Sequence, residues 1–196
     1  MTHPRSTLLL DASCLLNLYA TGRFRDIAAT LPYQIAVADY VLDVEALYVW
    51  RPDPTGTRDE AEPVDLSSLV DEGLVRVVTL ETPDEEGTFV ELAALVDDGE
   101  AITGALAAHR QCALATDDRK ARRVLAERTA AVPLLSTLEL LKLWADGAEV
   151  PDTELREAMD GMRMGASYVP GPRDPLYRWW RSIIEGEPSG PSSTEQ

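Results

Sequence analysis

Hydrophobic residues along this chain follow two rhythms, and the two alternate. Short, nearly unbroken apolar runs at residues 7–10, 34–38, 74–80, 112–116 and 132–135 have the length and polar borders of buried strands. Between them the apolar residues recur at helical spacing, as with Leu15, Leu16 and Tyr19 in the stretch that reaches Ala20. Further helices are predicted over residues 24–31, 41–50, 100–109, 119–130 and 138–146. Residues 65–72 form a short one, with Asp65 as N-cap and Gly73 as its stop. Thr82-Pro83-Asp84-Glu85 spells a capping box with proline at the first helical position, so another helix begins there.

This alternation predicts an α/β fold in three layers, a mostly parallel sheet with helices on both faces. Residues 1–150 make up that domain. Beyond Pro151 a helix over residues 152–164 and a proline-containing stretch ending in Trp179-Trp180 form a C-terminal helical extension, residues 151–185, packed on the domain. Residues 186–196 read as a disordered tail, and the polar stretch 51–63 as a mobile connection.

A length of 196 residues suits one domain, and 45% hydrophobic with 27% charged residues is a globular composition. No apolar run approaches the ~20 residues of a membrane span. The N-terminal residues lack a signal-peptide cleavage site, and Cys14 and Cys112 are too few for a disulfide framework, so a cytoplasmic location is expected. A net charge of −16 opposes general nucleic-acid affinity. Arg119, Lys120, Arg122 and Arg123 are a local exception, read equally well as a phosphate-contacting patch or as a solvated helix face. Arg23 and Arg25 extend that basic rim. No glycine-rich dinucleotide fingerprint follows Leu10, and no Gly-Lys-Ser/Thr phosphate loop is present. His3 and His109 have no triad context, and the scarcity of histidine argues against zinc.

The acids carry the chemistry. Asp11 closes the first apolar run, Glu45 lies on the helix after the second, Glu100 opens a helix, and Asp117-Asp118 follow the run at 112–116. Each has an ordinary explanation alone, as a helix cap, a first-turn acid or an exposed helix residue. Their recurrence on the same side of successive units is harder to explain that way. Ligands in open α/β sheets sit beyond the carboxyl ends of the strands. Carboxylates gathered there suit a hard divalent cation, Mg²⁺ or Mn²⁺.

At these residues the chain resembles the PIN-domain nucleases. The resemblance runs through Asp11-Ala12-Ser13 with Leu16-Asn17-Leu18, Tyr40-Val41-Leu42 leading to Glu45-Ala46-Leu47-Tyr48, Asp98-Gly99-Glu100-Ala101-Ile102, and Ala115-Thr116-Asp117-Asp118-Arg119, covering residues 6–147. It implies a PIN-like fold and metal-dependent endoribonuclease activity. The catalytic, metal-holding acids would be Asp11, Glu45, Glu100 and Asp118, with Asp117 as an alternate or supporting ligand. Asp43 competes with Glu45 for the second place and Asp98 with Glu100 for the third. Ser13, Thr116 and Asn17 would steady the ligand carboxylates. Many bacterial members look like toxins, which implies an antitoxin partner; the residues beyond Pro151 leave a homodimer contact open. The rival reading, favoured by the net charge, is a PIN-like binding or regulatory protein without nuclease activity.

Overall fold

The structure is a computed structural model that describes residues 6–52, 58–129 and 132–186. Its strands are β1 (Ser6–Leu10), β2 (Tyr33–Ala38), β3 (Tyr48–Pro52), β4 (Arg58–Pro63), β5 (Val75–Val78), β6 (Ala113–Ala115) and β7 (Leu134–Leu135). The α-helices are α1 (Ala12–Ala20), α2 (Phe24–Thr30), α3 (Ser67–Asp71), α4 (Pro83–Ala93), α5 (Asp98–Arg110), α6 (Arg119–Arg128), α7 (Thr137–Gly147), α8 (Asp152–Gly165) and α9 (Tyr177–Glu185). The main sheet has the order β5-β2-β1-β6-β7, with every pairing parallel.

Parallel strands need cover on both faces, and the central ones have the composition for it. Leu8, Leu9 and Leu10 of β1, Ile35 to Ala38 of β2 and Leu114 and Ala115 of β6 are all buried. Leu10 stands opposite Val37 on one side and Ala115 on the other. Helices α4 and α5 pack on each other, with α5 against β1, β2 and β6, while α1, α2 and α7 form a second group. This is an α/β architecture compatible with three layers. Among the described residues no helix is long and apolar enough to cross a membrane.

One predicted helix is absent. In place of a helix over residues 41–50 there is a single π-type turn, Val41–Glu45, after which the chain enters β3. β3 pairs antiparallel with β4, Tyr48 opposite Pro63 and Trp50 opposite Ala61. Tyr48-Val49-Trp50 has the aromatic and β-branched character that favours a pleated surface, and the Tyr48 and Trp50 rings meet edge to face at 5.5 Å. A short apolar run fits either period, and cross-strand pairing decided this one. The expected mobile stretch 51–63 therefore contains a paired strand at its end, while its residues 53–57 lie outside the described residues. So do Ala130 and residues 187–196, most of the expected tail; α9 closes at Gly186 with φ 72°.

The C-terminal residues pack against the rest: α8 lies on α1 and β3, and α9 on α8. Two glycines allow this approach. A Cβ at Gly161 would overlap the Ala20 carbonyl oxygen, and one at Gly165 would stand 2.9 Å from the Ala20 Cβ and 3.0 Å from the Trp50 oxygen.

The α4–α5 pair is locked by an ion pair that the capping box sets up. Thr82 Oγ1 accepts the Glu85 N–H, and Glu85 Oε2 accepts the N–H groups of Glu81 (2.7 Å) and Thr82 (3.2 Å). Arg110, at the end of α5, donates from Nε to Glu85 Oε1 at 2.7 Å and from Nη2 to the Thr79 carbonyl at 2.6 Å. The Arg110 hydrogen bonds hold the buried Glu85 carboxyl down to about 2, below its ordinary 4.5, against the opposing effect of burial. A depressed acid stabilises the fold above its unfolded pKa, and that stabilisation is lost as pH falls from about 4.5 toward about 2. Arg110→Met leaves the Glu85 charge buried without its partner and should destabilise by about 2–4 kcal/mol at neutral pH. Urea unfolding across that acid range should show the wild type losing its advantage over Arg110→Met as Glu85 protonates. A gap that stays constant with pH would mean the pair contributes through packing alone.

Candidate active site

The strand order reverses direction next to β1: the chain moves outward through β2 and β5, then returns to place β6 on the other side of β1. Loops after β1 and β6 therefore diverge, and a crevice opens at their carboxyl ends. Asp11 follows β1, and Thr116-Asp117-Asp118 follow β6. The ladder continues one step past the strands, because the Asp11 N–H donates to the Ala115 carbonyl at 3.1 Å.

Asp11 is the N-cap of α1. Its Oδ1 accepts the Cys14 N–H at 2.7 Å, and Ser13 Oγ lies 3.0 Å from each carboxylate oxygen. Burial raises the Asp11 carboxyl above its ordinary value, opposed by hydrogen bonds from Thr116, Cys14 and Ser13. Asp118 caps α6 in the same way, Oδ1 accepting the Ala121 N–H at 2.7 Å while its own N–H donates to Thr116 Oγ1 at 3.2 Å. Asp11, Glu100, Thr116 and Ala121 line one small cleft. Glu100, in the first turn of α5, is raised to about 7 by burial, then by the negative charge of Asp118, with Asp97 and Asp11 adding to it. Its Oε2 has only a 3.4 Å contact with the Asp97 N–H.

Glu45 reaches the same helix turn at Gly99. Its Oε1 accepts the Gly99 N–H at 3.0 Å, and a Cβ on Gly99 would overlap its carboxylate. Burial raises Glu45, and Asp97 and Asp98 raise it further. The acids thus form two groups, Asp11 with Glu100 and Asp118, and Glu45 with Asp97 and Asp98, joined through the Asp98-Gly99-Glu100 turn. Asp98 is exposed and near the Tyr40 hydroxyl (3.4 Å), and Asp43 is exposed on the π-type turn. Asp97 is the acid that the sequence reading missed. Asp97-Asp98-Gly99-Glu100 carries the same acid-and-glutamate spacing as a capping box, and that signal was available.

Other expected residues have structural duties. Asp117 accepts from Thr137 N (2.9 Å), Thr137 Oγ1 (2.5 Å) and Asn17 Nδ2 (3.2 Å), tying the β6 loop to α1 and α7. Asn17, expected to steady Asp11, donates to Asp117 and to Thr137 Oγ1 (3.2 Å) instead. Arg122, expected on the phosphate-contacting patch, donates to the carbonyls of Thr116 (2.9 Å), Leu135 (2.9 Å) and Leu134 (3.4 Å). Arg23 pairs with Glu154 at 3.3 Å, and Arg25 pairs with Glu72. Arg119, Lys120 and Arg123 are exposed on α6.

A donor set of carboxylate oxygens fits Mg²⁺ or Mn²⁺ chemically. Asp11 Oδ2, Glu100 Oε1 and Asp118 Oδ2 accept no backbone N–H, although Ser13 Oγ also lies 3.0 Å from Asp11 Oδ2. Among the described residues, however, no three such side chains already stand as a metal-holding group.

The like charges around Glu100 make a signed pH prediction. A carboxyl raised to about 7 binds a proton in the folded state that it has lost in the unfolded chain above about 4.5, so stability falls as pH rises between those values. Glu100→Gln removes this loss. It should be more stable than wild type near neutral pH by about 1 kcal/mol, once solvent screening of a half-buried group is allowed for. Denaturation curves from acid to neutral pH would decide, and parallel curves for the two proteins would show that Asp118 and Asp11 do not crowd Glu100.

In comparisons with family models, curated proteins and solved structures, nothing matches this chain.

Proposed function

We propose that this protein is a metal-dependent endoribonuclease with a PIN-like fold, hydrolysing phosphodiester bonds of single-stranded RNA at the cleft between β1 and β6. The observation that carries the reading is that Asp11 and Glu100 line one cleft and that Asp118 is near enough for its charge to act on Glu100, from chain positions as much as 107 residues apart. A fold gains nothing from crowding like charges, since two carboxylates at ~4 Å repel by about 4 kcal/mol at an effective dielectric of 20. Such crowding at a ligand-binding position of the sheet suits a cation.

Asp11, Glu100 and Asp118 would hold Mg²⁺ or Mn²⁺, with Glu45 reinforcing the negative field from its place at the Gly99 N–H. When bound, the ion supplies charge stabilisation for the phosphodiester and a more acidic water. The protein's own contribution is orientation. Cys14 N–H and Ser13 fix Asp11, and Ala121 N–H fixes Asp118. Glu100 has the weakest tether of the three and is the acid freest to move toward a ligand.

A toxin role with a small antitoxin partner, and a homodimer through the C-terminal helices, extend this reading. A neighbouring gene for a small DNA-binding protein would support the former, and sedimentation of the purified chain would decide the latter. The net charge of −16 favours a second reading, a PIN-like binding or regulatory protein without activity.

The purified protein should cut single-stranded RNA with Mn²⁺ or Mg²⁺ and stop with EDTA, and Asp11→Asn should abolish cutting. Added Mn²⁺ should raise the melting temperature with the logarithm of its concentration above Kd, adding ~2.7 kcal/mol of stability at one hundred times Kd, and far less in Asp11→Asn, where the cap survives because Asn caps nearly as well. Asp117→Ala should behave differently, losing about 2–4 kcal/mol of stability from its three hydrogen bonds. RNA bound but never cut, across both metals, would establish the second reading.

A further inference from the structure

A second cavity, of about 340 Å³, lies beside the acid cleft, between the first turn of α6, the start of α7 and residues 168–176 of the C-terminal part. Asp117 forms one wall, so this cavity adjoins Asp118 through the backbone. Three acids and three arginines line it, and most are already engaged. Asp117 is bound by Thr137 and Asn17, Glu139 Oε2 accepts the Ser136 N–H at 2.7 Å, and Asp174 Oδ1 accepts the Leu176 N–H at 2.8 Å. Arg122 is spent on strand-end carbonyls.

Two guanidinium groups remain. Arg119 and Arg173 are exposed, and neither has a hydrogen bond or ion pair among the described residues. They come from different parts of the chain, one from α6 and one from the C-terminal segment. Gly171 lets the Arg119 side chain lie close, since a Cβ there would sit 3.4 Å from its Nη2.

We propose that this cavity is a phosphate subsite for single-stranded RNA, in which Arg119 and Arg173 clamp a phosphodiester flanking the one presented to Asp11, Glu100 and Asp118. The proposal rests on the nuclease reading for its ligand. Planar guanidinium forks suit phosphate oxygens, and two of them facing one space can share one group. A phosphodiester linkage carries one negative charge, which two guanidinium groups lining one cavity can share. The subsite also resolves how a chain of net charge −16 approaches a polyanion: through local donors whose competing acids already hold N–H groups.

The test is fluorescence anisotropy of a labelled single-stranded RNA with the full chain in Ca²⁺, which screens the carboxylates. Arg119→Ala and Arg173→Ala should each weaken binding about tenfold and lower the salt slope of log K by about 0.7. Neither should change the melting temperature or the Mn²⁺-induced shift, and Arg178→Ala on α9 should bind as wild type does. Variants that bind like wild type, a wild type that does not bind, or a mononucleotide bound as tightly as the strand would each overturn the subsite. Cutting that persists with no arginine dependence would remove the subsite and keep the nuclease. Arginine-dependent binding without any cutting would do the reverse.

Discussion

The pairing of β1 with β6 is the constraint on which the rest depends. Both strands are apolar and buried, so their backbone N–H and C=O groups must bond to each other and to their outer neighbours. The register that satisfies them sets Leu10 against Ala115 and continues to the Asp11 N–H. Slipping it by one residue would turn apolar side chains from one helical layer to the other and would break the Asp11 bond. Asp11 and Thr116 are thereby fixed side by side, although more than a hundred residues separate them in the chain.

From that fixed point the acids acquire structural duties. Asp11 and Asp118 each satisfy an open N–H group of a helix with one oxygen, so the fold keeps them whether or not they do chemistry. Glu100 is different. It sits in the first turn of α5 with three negative neighbours, and burial first, then their charge, raises its carboxyl above the ordinary value. Gly99 extends the cluster, because only a residue without a Cβ leaves room for the Glu45 carboxylate at the Gly99 N–H.

The C-terminal residues contribute more than cover. α8 approaches α1 through Gly161 and Gly165, and α9 closes over it with Trp180 buried and the Tyr168 ring edge-on at 5.7 Å. That docking carries residues 168–176 back beside the loop after β6, where Arg173 faces the cavity that Arg119 also lines. A segment remote in sequence from the acid motifs becomes their spatial neighbour.

What the sequence by itself determined were the features that depend on near neighbours. Strand and helix positions followed from apolar periodicity, and the Thr82 capping box and the Gly73 stop, with φ 72°, followed from local backbone chemistry. The ordering of acids at strand ends was legible for the same reason. Tertiary structure decided whatever required a distant partner. Tyr48-Val49-Trp50 became a strand because β4 was there to pair with it. Asp117 and Arg122 became structural because Thr137 and the ends of β6 and β7 offered bonds that outcompete solvent exposure. Arg119 and Arg173 line one cavity only because the C-terminal residues pack back on the domain through α8 and α1. Local propensity acts over a few residues of chain, whereas hydrogen-bond satisfaction and close packing act between whichever residues the fold brings together.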